Sequence, residues 1–323
     1  MSTKRIFFVT DIHGSDVCFR KLLNSVRSRM QPDVLIVGGD ILGKFVVPIV
    51  DHGSGRREAH VPTGQSRHRS TFISVAEEHR FVQKIANEGS YVFRCNRDEL
   101  ALFFREEEYN QQVTQRLQAE RLQQWLALAD SRLAGTGVKL ICNAGNDDDF
   151  WVDSILDESE SVTRPEGRIV DIGDGFTLLS TGFTNITPWN CPRDVSEDDI
   201  ARRIAEMANI IGDFSKCIFN FHAPPFGTSL DLAPKLVGLT PQFSLSGPTE
   251  EHVGSVAVRA AIERYGPCVS LHGHVHEAHS VDRIGGTICF NPGSEYKSGI
   301  LRGVFLEFSN GILCRYGLTR EGG

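Results

Sequence analysis

No Cys-x-x-Cys pair occurs in this chain: its eight cysteines stand singly at 18, 95, 142, 191, 217, 268, 289 and 314. Paired thiolates for a structural zinc or a redox dithiol are thereby excluded, and the pattern reads as reduced, mostly buried thiols of the cytoplasm. Nor is there an apolar run of the ~18 residues that a membrane-crossing helix needs. The longest candidate, Val34 to Val50, is broken by Asp40 and Lys44. Met1 to Arg5 leads straight into Ile6 to Thr10 with no signal-peptide apolar region and cleavage site. Positive charge is scarce too. The 34 Lys and Arg against 41 Asp and Glu leave a formal net charge of -7, which supplies no field for indiscriminate binding to nucleic acid or membranes. No Gly-x-Gly-x-x-Gly follows the first apolar run, which sets aside a dinucleotide-binding protein. A soluble, cytoplasmic protein is expected. A small anionic substrate stays open, because bound cations can invert the local field.

What is present is a series of short apolar runs, each ending at a polar residue. Ile6 to Thr10 ends at Asp11, and Val34 to Val37 ends at Gly38-Gly39-Asp40. Val138 to Cys142 leads to Gly145-Asn146-Asp147-Asp148, Cys217 to Phe221 ends at His222, and Val269 to Leu271 precedes His272-Gly273-His274-Val275-His276. Continuous runs of this length fit strands buried on both faces. Helices are expected over Val17 to Arg29, capped by Ser15 or Asp16, and over Val75 to Glu88, Glu107 to Leu133, Asp198 to Ile211 and Ser255 to Tyr265. Shorter strands are expected at Arg168 to Asp171, Thr177 to Thr181, Gly286 to Phe290 and Gly303 to Phe308. Every candidate residue then sits at the carboxyl end of a strand, where open α/β sheets gather ligands. Residues 51 to 137 stand apart. Asp51 to Ser70, rich in Gly, Arg, His and Ser and without periodicity, is expected to be a long loop before two helices.

The residue types suit one chemistry. Hydrolysis of a phosphate ester needs a nucleophile and neutralised phosphoryl oxygens, and two cations about 3.5–4 Å apart supply both. Such a site takes a bridging carboxylate with oxygen and imidazole ligands around it. Asp11, His13, Asp40, Asn146, His222, His274 and His276 are that inventory, and the mixture suits Mn, Fe, Zn or Co. Any one of them alone is an ordinary strand-end residue. The order of five such motifs after five expected strands is what carries the signal.

The series Asp11-Ile12-His13, Gly39-Asp40, Gly145-Asn146-Asp147-Asp148, His222 and Gly273-His274-Val275-His276 resembles the signature of the calcineurin-like metallophosphoesterase superfamily. Asn291-Pro292-Gly293-Ser294 is similar to a turn of its smaller bacterial and archaeal members. Thr187-Pro188-Trp189-Asn190, His222-Ala223-Pro224-Pro225 and Gly273 to Ala278 resemble the Icc-related predicted phosphoesterases. The resemblance implies a four-layer αββα sandwich of two mixed β-sheets flanked by helices, with one metal on Asp11, His13 and His276, a second on Asn146, His222 and His274, and Asp40 bridging. It implies two divalent metal ions, a metal-bridging hydroxide as nucleophile, and Asn146 stabilising the phosphoryl oxygens. The expected activity is hydrolysis of small phosphoesters, foremost phosphodiesters. The alternatives are a phosphomonoesterase or a non-catalytic interaction module of the same fold. Residues 1–323 are expected to form one domain, with 51–137 as an inserted, mainly helical cap or lid.

Two departures qualify the resemblance. The family's third motif usually carries a His after Gly-Asn, to protonate the leaving group or bind the transition state, and here Asp147 stands there. A carboxylate beside two cations stays ionised and is a poor acid, so good leaving groups are expected to be favoured. There is also no Tyr shortly after Asp40 and no Asp-Arg-Gly, which sets aside purple acid phosphatases and serine/threonine protein phosphatases. Asn96-Arg97-Asp98-Glu99 imitates the third motif without its Gly and is expected to be structural; Gly145 is read as permitting the tight turn that aims Asn146 inward. His272 is expected to be packed or to orient a ligand, and His52, His60, His68 and His79 to be solvated. Arg56, Arg57, Arg202 and Arg203 are read as surface charges.

Overall fold

Apolar runs become strands here because both of their faces are covered. The structure, a computed structural model, describes residues 3–53, 56–63, 66–72, 74–244 and 247–322. It opens with β1 (Thr3–Val9), α1 (Asp16–Asn24) and β2 (Val34–Val37). There follow β3 (Val46–Asp51), β4 (Arg57–Thr63), β5 (Ser66–Phe72), α2 (Val75–Asn87), β6 (Tyr91–Cys95), α3 (Arg97–Arg105) and α4 (Glu107–Leu133). Next come β7 (Lys139–Cys142), α5 (Trp151–Asp157), β8 (Val162–Thr163), β9 (Ile169–Gly173), β10 (Phe176–Thr181), α6 (Glu197–Ala208) and α7 (Val256–Tyr265).

Two six-stranded mixed sheets form the centre. The first runs Ile312–Glu321, Leu301–Ser309, β1, β2, β7, β8; the second runs Ser280–Ile284, Thr287–Asn291, Val269–Leu271, Cys217–Phe221, β10, β9. Alternation along each strand sorts the side chains into layers. Ile6, Phe8, Val34 and Ile36 point between the sheets, where they meet Leu178, Ile218, Leu271 and Phe290. Phe7, Val9, Leu35 and Val37 point the other way, onto α1, α4 and α5. On the far side Leu179, Phe219 and Phe221 pack under α6 and α7. The expected αββα sandwich is the observed one. Helix starts follow local capping chemistry: Ser15, Ser196 and Ser255 each accept a main-chain N–H of the first turn. Among the described residues no helix is long and apolar enough to cross a membrane.

The segment after Asp40 differs from its expectation. Asp51 to Ser70 contains not a long loop but the β4–β5 hairpin, which extends a four-stranded sheet in the order β5, β4, β3, β6; residues 54, 55, 64 and 65 lie outside the described set. Composition concealed it because so few apolar side chains line its buried face, Ala59 and Phe72 against Val47, Ile49 and Ile85. Its charges are paired, Arg57 with Glu78 at 2.6 Å and Glu58 with His60 at 3.2 Å. His60 is therefore buried rather than solvated, whereas His68 and His79 are exposed. Helix α4 serves two bodies. Val113 packs with Phe93 and Phe103 of the inserted sheet, while Leu122, Trp125, Leu126, Ala129 and Leu133 belong to the core layer over the first sheet. Trp125 stacks on Phe19 with ring centroids 4.4 Å apart. Asn96 is the side-chain cap of α3 with a complete capping box to Glu99, a structural role.

Candidate metal centre

The parallel ladders continue past the strand ends and lock the loops that follow. Asp11 N–H donates to Gly39 O (3.0 Å), His13 N–H to Asp40 O (3.0 Å), and Gly273 N–H to His222 O (3.0 Å). These bonds hold Asp11, His13, Asp40 and His274 at φ of 51°, 40°, 49° and 68°, a left-handed region that costs a non-glycine residue on the order of 1 kcal/mol or more. Strain concentrated on four of the seven candidates marks a site whose geometry is imposed by the fold.

The side chains converge. His13 Nε2 faces His276 Nε2 at 2.9 Å, and Asp11 Oδ1 lies 3.4 Å from His276 Nε2 and 3.9 Å from His13 Nε2. Asp40 Oδ1 is 3.4 Å from His222 Nε2, and Asp40 Oδ2 is 3.6 Å from His13 Nε2. Three groups have ligand atoms within 4.8 Å of one another: Asp11, His13 and His276; Asp11, Asp40 and His222; and His13, Asp40 and Asp147. Asn146 and His274 sit beside them, joined by Asn146 Oδ1 to His274 Nδ1 at 3.1 Å. The Asn146 amide is turned that way because its Nδ2 donates to Asp194 Oδ1 (3.0 Å). Nothing near Asn146 in sequence announced Asp194, which also accepts from Thr184, Thr187 and Cys191.

Two glycines make the convergence possible by leaving space. A Cβ on Gly273 would collide with the Asp11 carboxylate, and one on Gly145 would collide with that of Asp40. The expected tight turn is there, Asp148 N–H donating to Gly145 O at 3.3 Å, but Gly145 is not at positive φ; glycine serves close approach to Asp40 rather than left-handed backbone. Asp148 ties the same loops together, accepting from Ile41 (2.8 Å), Leu42 (2.9 Å) and Gly145 (2.9 Å) main-chain N–H groups. Arg193, fully buried, donates to Asp148 O at 2.9 Å and to Asp153 at 2.9 Å, pinning that loop to α5. His272 accounts for itself as a positioning residue: its Nδ1 bonds Phe221 O (2.8 Å) and Ala223 O (3.0 Å) on either side of His222.

The donor set fits a cation. His222 is fully buried, yet among the described residues neither ring nitrogen has a hydrogen-bond partner, the nearest carboxylate oxygen being that of Asp40 at 3.4 Å, a costly arrangement unless something positive lies between it and the carboxylates. Burial opposes charge on Asp11, but His222 and His276 outweigh it and hold the carboxyl at about 2. Asp40 is likewise held low: burial opposes its charge, and His222 and His13 prevail. Burial pushes His222 down, and Asp40 and Asp11 lift it to about 9. Burial and the neighbouring His222 drop His274 to about 4. Burial, followed by the Asp40 charge, raises Asp148 to about 7.

Of the candidate ligands, His13, Asp40, Asn146, His274 and His276 line a cavity of about 390 Å³, together with Lys44, Phe45, Trp189, Cys191, Glu277 and Tyr296. Asp147 lies on its wall, its Oδ1 accepting from Lys44 Nζ (2.5 Å) and Cys191 Sγ (2.8 Å). Lys44 escaped the sequence reading. The available signal was its position four residues after Asp40 on the same loop. Arg57, Arg202 and Arg203 lie away from this cavity, Arg57 and Arg202 in ion pairs and Arg203 over the Phe183 ring.

A family model described as calcineurin-like phosphoesterase matches residues 4–278. An uncharacterised protein of Methanocaldococcus jannaschii, MJ1162, is 28% identical over 157 residues, which are 48% of this chain and 64% of that one. The aligned stretch thus spans less than two thirds of that relative. Among solved structures, TT1561 of Thermus thermophilus aligns over 99% of both chains with a TM-score of 0.52 and 10% identity. Another crystal structure aligns over 99% of both at a TM-score of 0.55 and 16% identity. At such identities the structural matches establish the fold.

Proposed function

This chain belongs to the calcineurin-like phosphoesterase family, and from that premise we propose that it hydrolyses phosphoesters, foremost diesters, with Asp11, His13, Asp40, Asn146, His222, His274 and His276 holding two divalent cations. The observation that carries this reading is the convergence of Asp11, His13, Asp40, His222 and His276 into overlapping groups with ligand atoms within 4.8 Å, beside the bonded pair Asn146 and His274. Mn, Fe, Zn or Co would suit the mixture of imidazole and carboxylate. When bound, such ions activate water and neutralise phosphoryl oxygens. The chain's own part is to hold the ligands rigidly. Asp194 keeps the Asn146 carbonyl oxygen facing inward, while the amide stays engaged in its own hydrogen bond.

Two features support a diester. Lys44 is the one lysine or arginine lining the cavity among the described residues, against Glu277 and Asp147, so beyond the ions the chain offers no arginine clamp for the extra charge of a monoester. A second cavity of about 550 Å³ shares Trp189, His274 and Glu277 with the first and offers apolar walls, Ile186, Leu236 and Leu239, to a second ester group. With Mn supplied, kcat/KM for bis-p-nitrophenyl phosphate is expected to exceed that for p-nitrophenyl phosphate by on the order of tenfold. The reverse preference would make the enzyme a phosphomonoesterase.

We further assign the cap to the inserted sheet, α2, α3 and the first half of α4. The second half, from Leu122 to Leu133, is core, and Arg121 donates to Gly14 O beside the site at 2.7 Å. Removing residues 57–72 is expected to shift the ratio of diester to monoester turnover while metal content stays at the wild-type level. Loss of metal from that variant would make the hairpin part of the metal scaffold instead.

A further inference from the structure

The family's third motif places a histidine where this chain has Asp147, and the structure sets a different group there. Lys44 Nζ lies 2.5 Å from Asp147 Oδ1, about half of the lysine side chain remains exposed, and both residues line the cavity with His13, Asp40, Asn146 and His276. Asp147 is itself fixed, its main-chain N–H donating to Asp40 Oδ1 at 3.0 Å and its carboxylate accepting from Cys191. A long, flexible lysine is thus moored by a carboxylate that cannot wander from the candidate metal ligands.

We propose that Lys44, moored by Asp147, is a catalytic residue that stabilises the departing oxygen of the ester in place of the missing histidine. The inference rests on the phosphoesterase reading above. As the oxygen of water bonds to phosphorus and releases a proton to solvent, the bond to the leaving oxygen breaks and that oxygen keeps the electron pair. The Lys44 ammonium donates a hydrogen bond to the developing negative charge, and solvent later supplies the proton. A fixed positive donor aimed at developing charge is worth about 10²–10³ in rate where that charge is large. The benefit therefore grows as the leaving group becomes a worse anion. A simpler role for Lys44 is to neutralise Asp147, and the two make different predictions.

The test compares bis-p-nitrophenyl phosphate with diphenyl phosphate, whose leaving phenol is far less acidic, in Mn-loaded protein. Turnover of bis-p-nitrophenyl phosphate by the wild type tests the phosphoesterase reading itself, independently of what Lys44 does. Lys44→Ala is expected to lower kcat on diphenyl phosphate by about 10²-fold and on the nitrophenyl ester by under about tenfold, with metal content unchanged. Lys44→Arg is expected to recover much of the loss. In the double variant Lys44→Ala/Asp147→Ala the rate on diphenyl phosphate is expected to stay as low as in Lys44→Ala. Equal losses on both substrates, loss of metal in Lys44→Ala, or return of the double variant to the wild-type rate would each overturn the proposal.

Discussion

Asp40→Ala is expected to purify without its full metal complement and to turn over phosphoesters at least about a thousandfold more slowly, a loss of about 4 kcal/mol of transition-state stabilisation. Asp40, like Asp11, belongs to two of the three candidate ligand groups, and it alone of the two joins His222 to the group of His13 and Asp147, so its removal touches both halves of the site. It also supplies the largest attraction that keeps His222 charged. Without it the pull toward the charged form weakens, and Asp11 is left as the chief attraction against burial. The same change relieves Asp11 and Asp148, both of which feel repulsion from the Asp40 charge. The metal-free variant should therefore remain folded, and the damage should be confined to metal and turnover. Metal analysis beside kcat on the same preparation checks this. A variant with its full metal complement and turnover within tenfold of wild type would show that Asp40 is not the shared ligand.

The second large effect is on pH. In the metal-free protein His222 is lifted to about 9, so below that pH a cation must displace a proton from it. Asp11, at about 2, and Asp40, held low, are already ionised; His274, at about 4, is already neutral. Burial pulls His276 down, but Asp11 and Asp40 raise it above its ordinary value, so it must give up a further proton at the acid end of the range. With at least one proton released, affinity rises by at least about tenfold per pH unit below about 9. Metal-free stability runs the other way. A histidine whose folded pKa lies above its unfolded value of about 6.5 contributes fully below pH 6.5 and loses that contribution as pH rises through 9. Mn titrations from pH 6 to 9, with urea unfolding of the metal-free protein alongside, should therefore give opposite slopes. A flat affinity over that range would mean that His222 is not a ligand.

How much of this was legible in the sequence follows from where each signal lies. Strands buried on both faces betray themselves as unbroken apolar runs, so Val34 to Val37 and Cys217 to Phe221 were readable to the residue. The 27 residues of α4 were equally plain, although nothing local disclosed that its two halves pack on different bodies. The hairpin of β4 and β5 hid because β4 buries Glu58, Ala59 and His60, of which only Ala59 is apolar, and so leaves no periodic apolar trace. At the site, residue types suited to metal at successive strand ends were enough to name the seven side chains that the fold gathers. The groups that position them were not. Asp194 and Arg193 act across 48 and 45 residues of sequence, and only the closed fold brings them to Asn146 and Asp148. Lys44 resembles any surface lysine until Asp147 is seen beside it.

The central claim is that this cavity hydrolyses phosphoesters only with metal in place. The direct measurement is to strip the protein with a chelator, remove the chelator, and follow bis-p-nitrophenyl phosphate turnover while Mn is added back and bound metal is counted. Turnover should be absent from the stripped protein and return in step with the binding of two ions per chain. Turnover that persists without metal, or two ions bound with no turnover at any Mn concentration, would contradict the account.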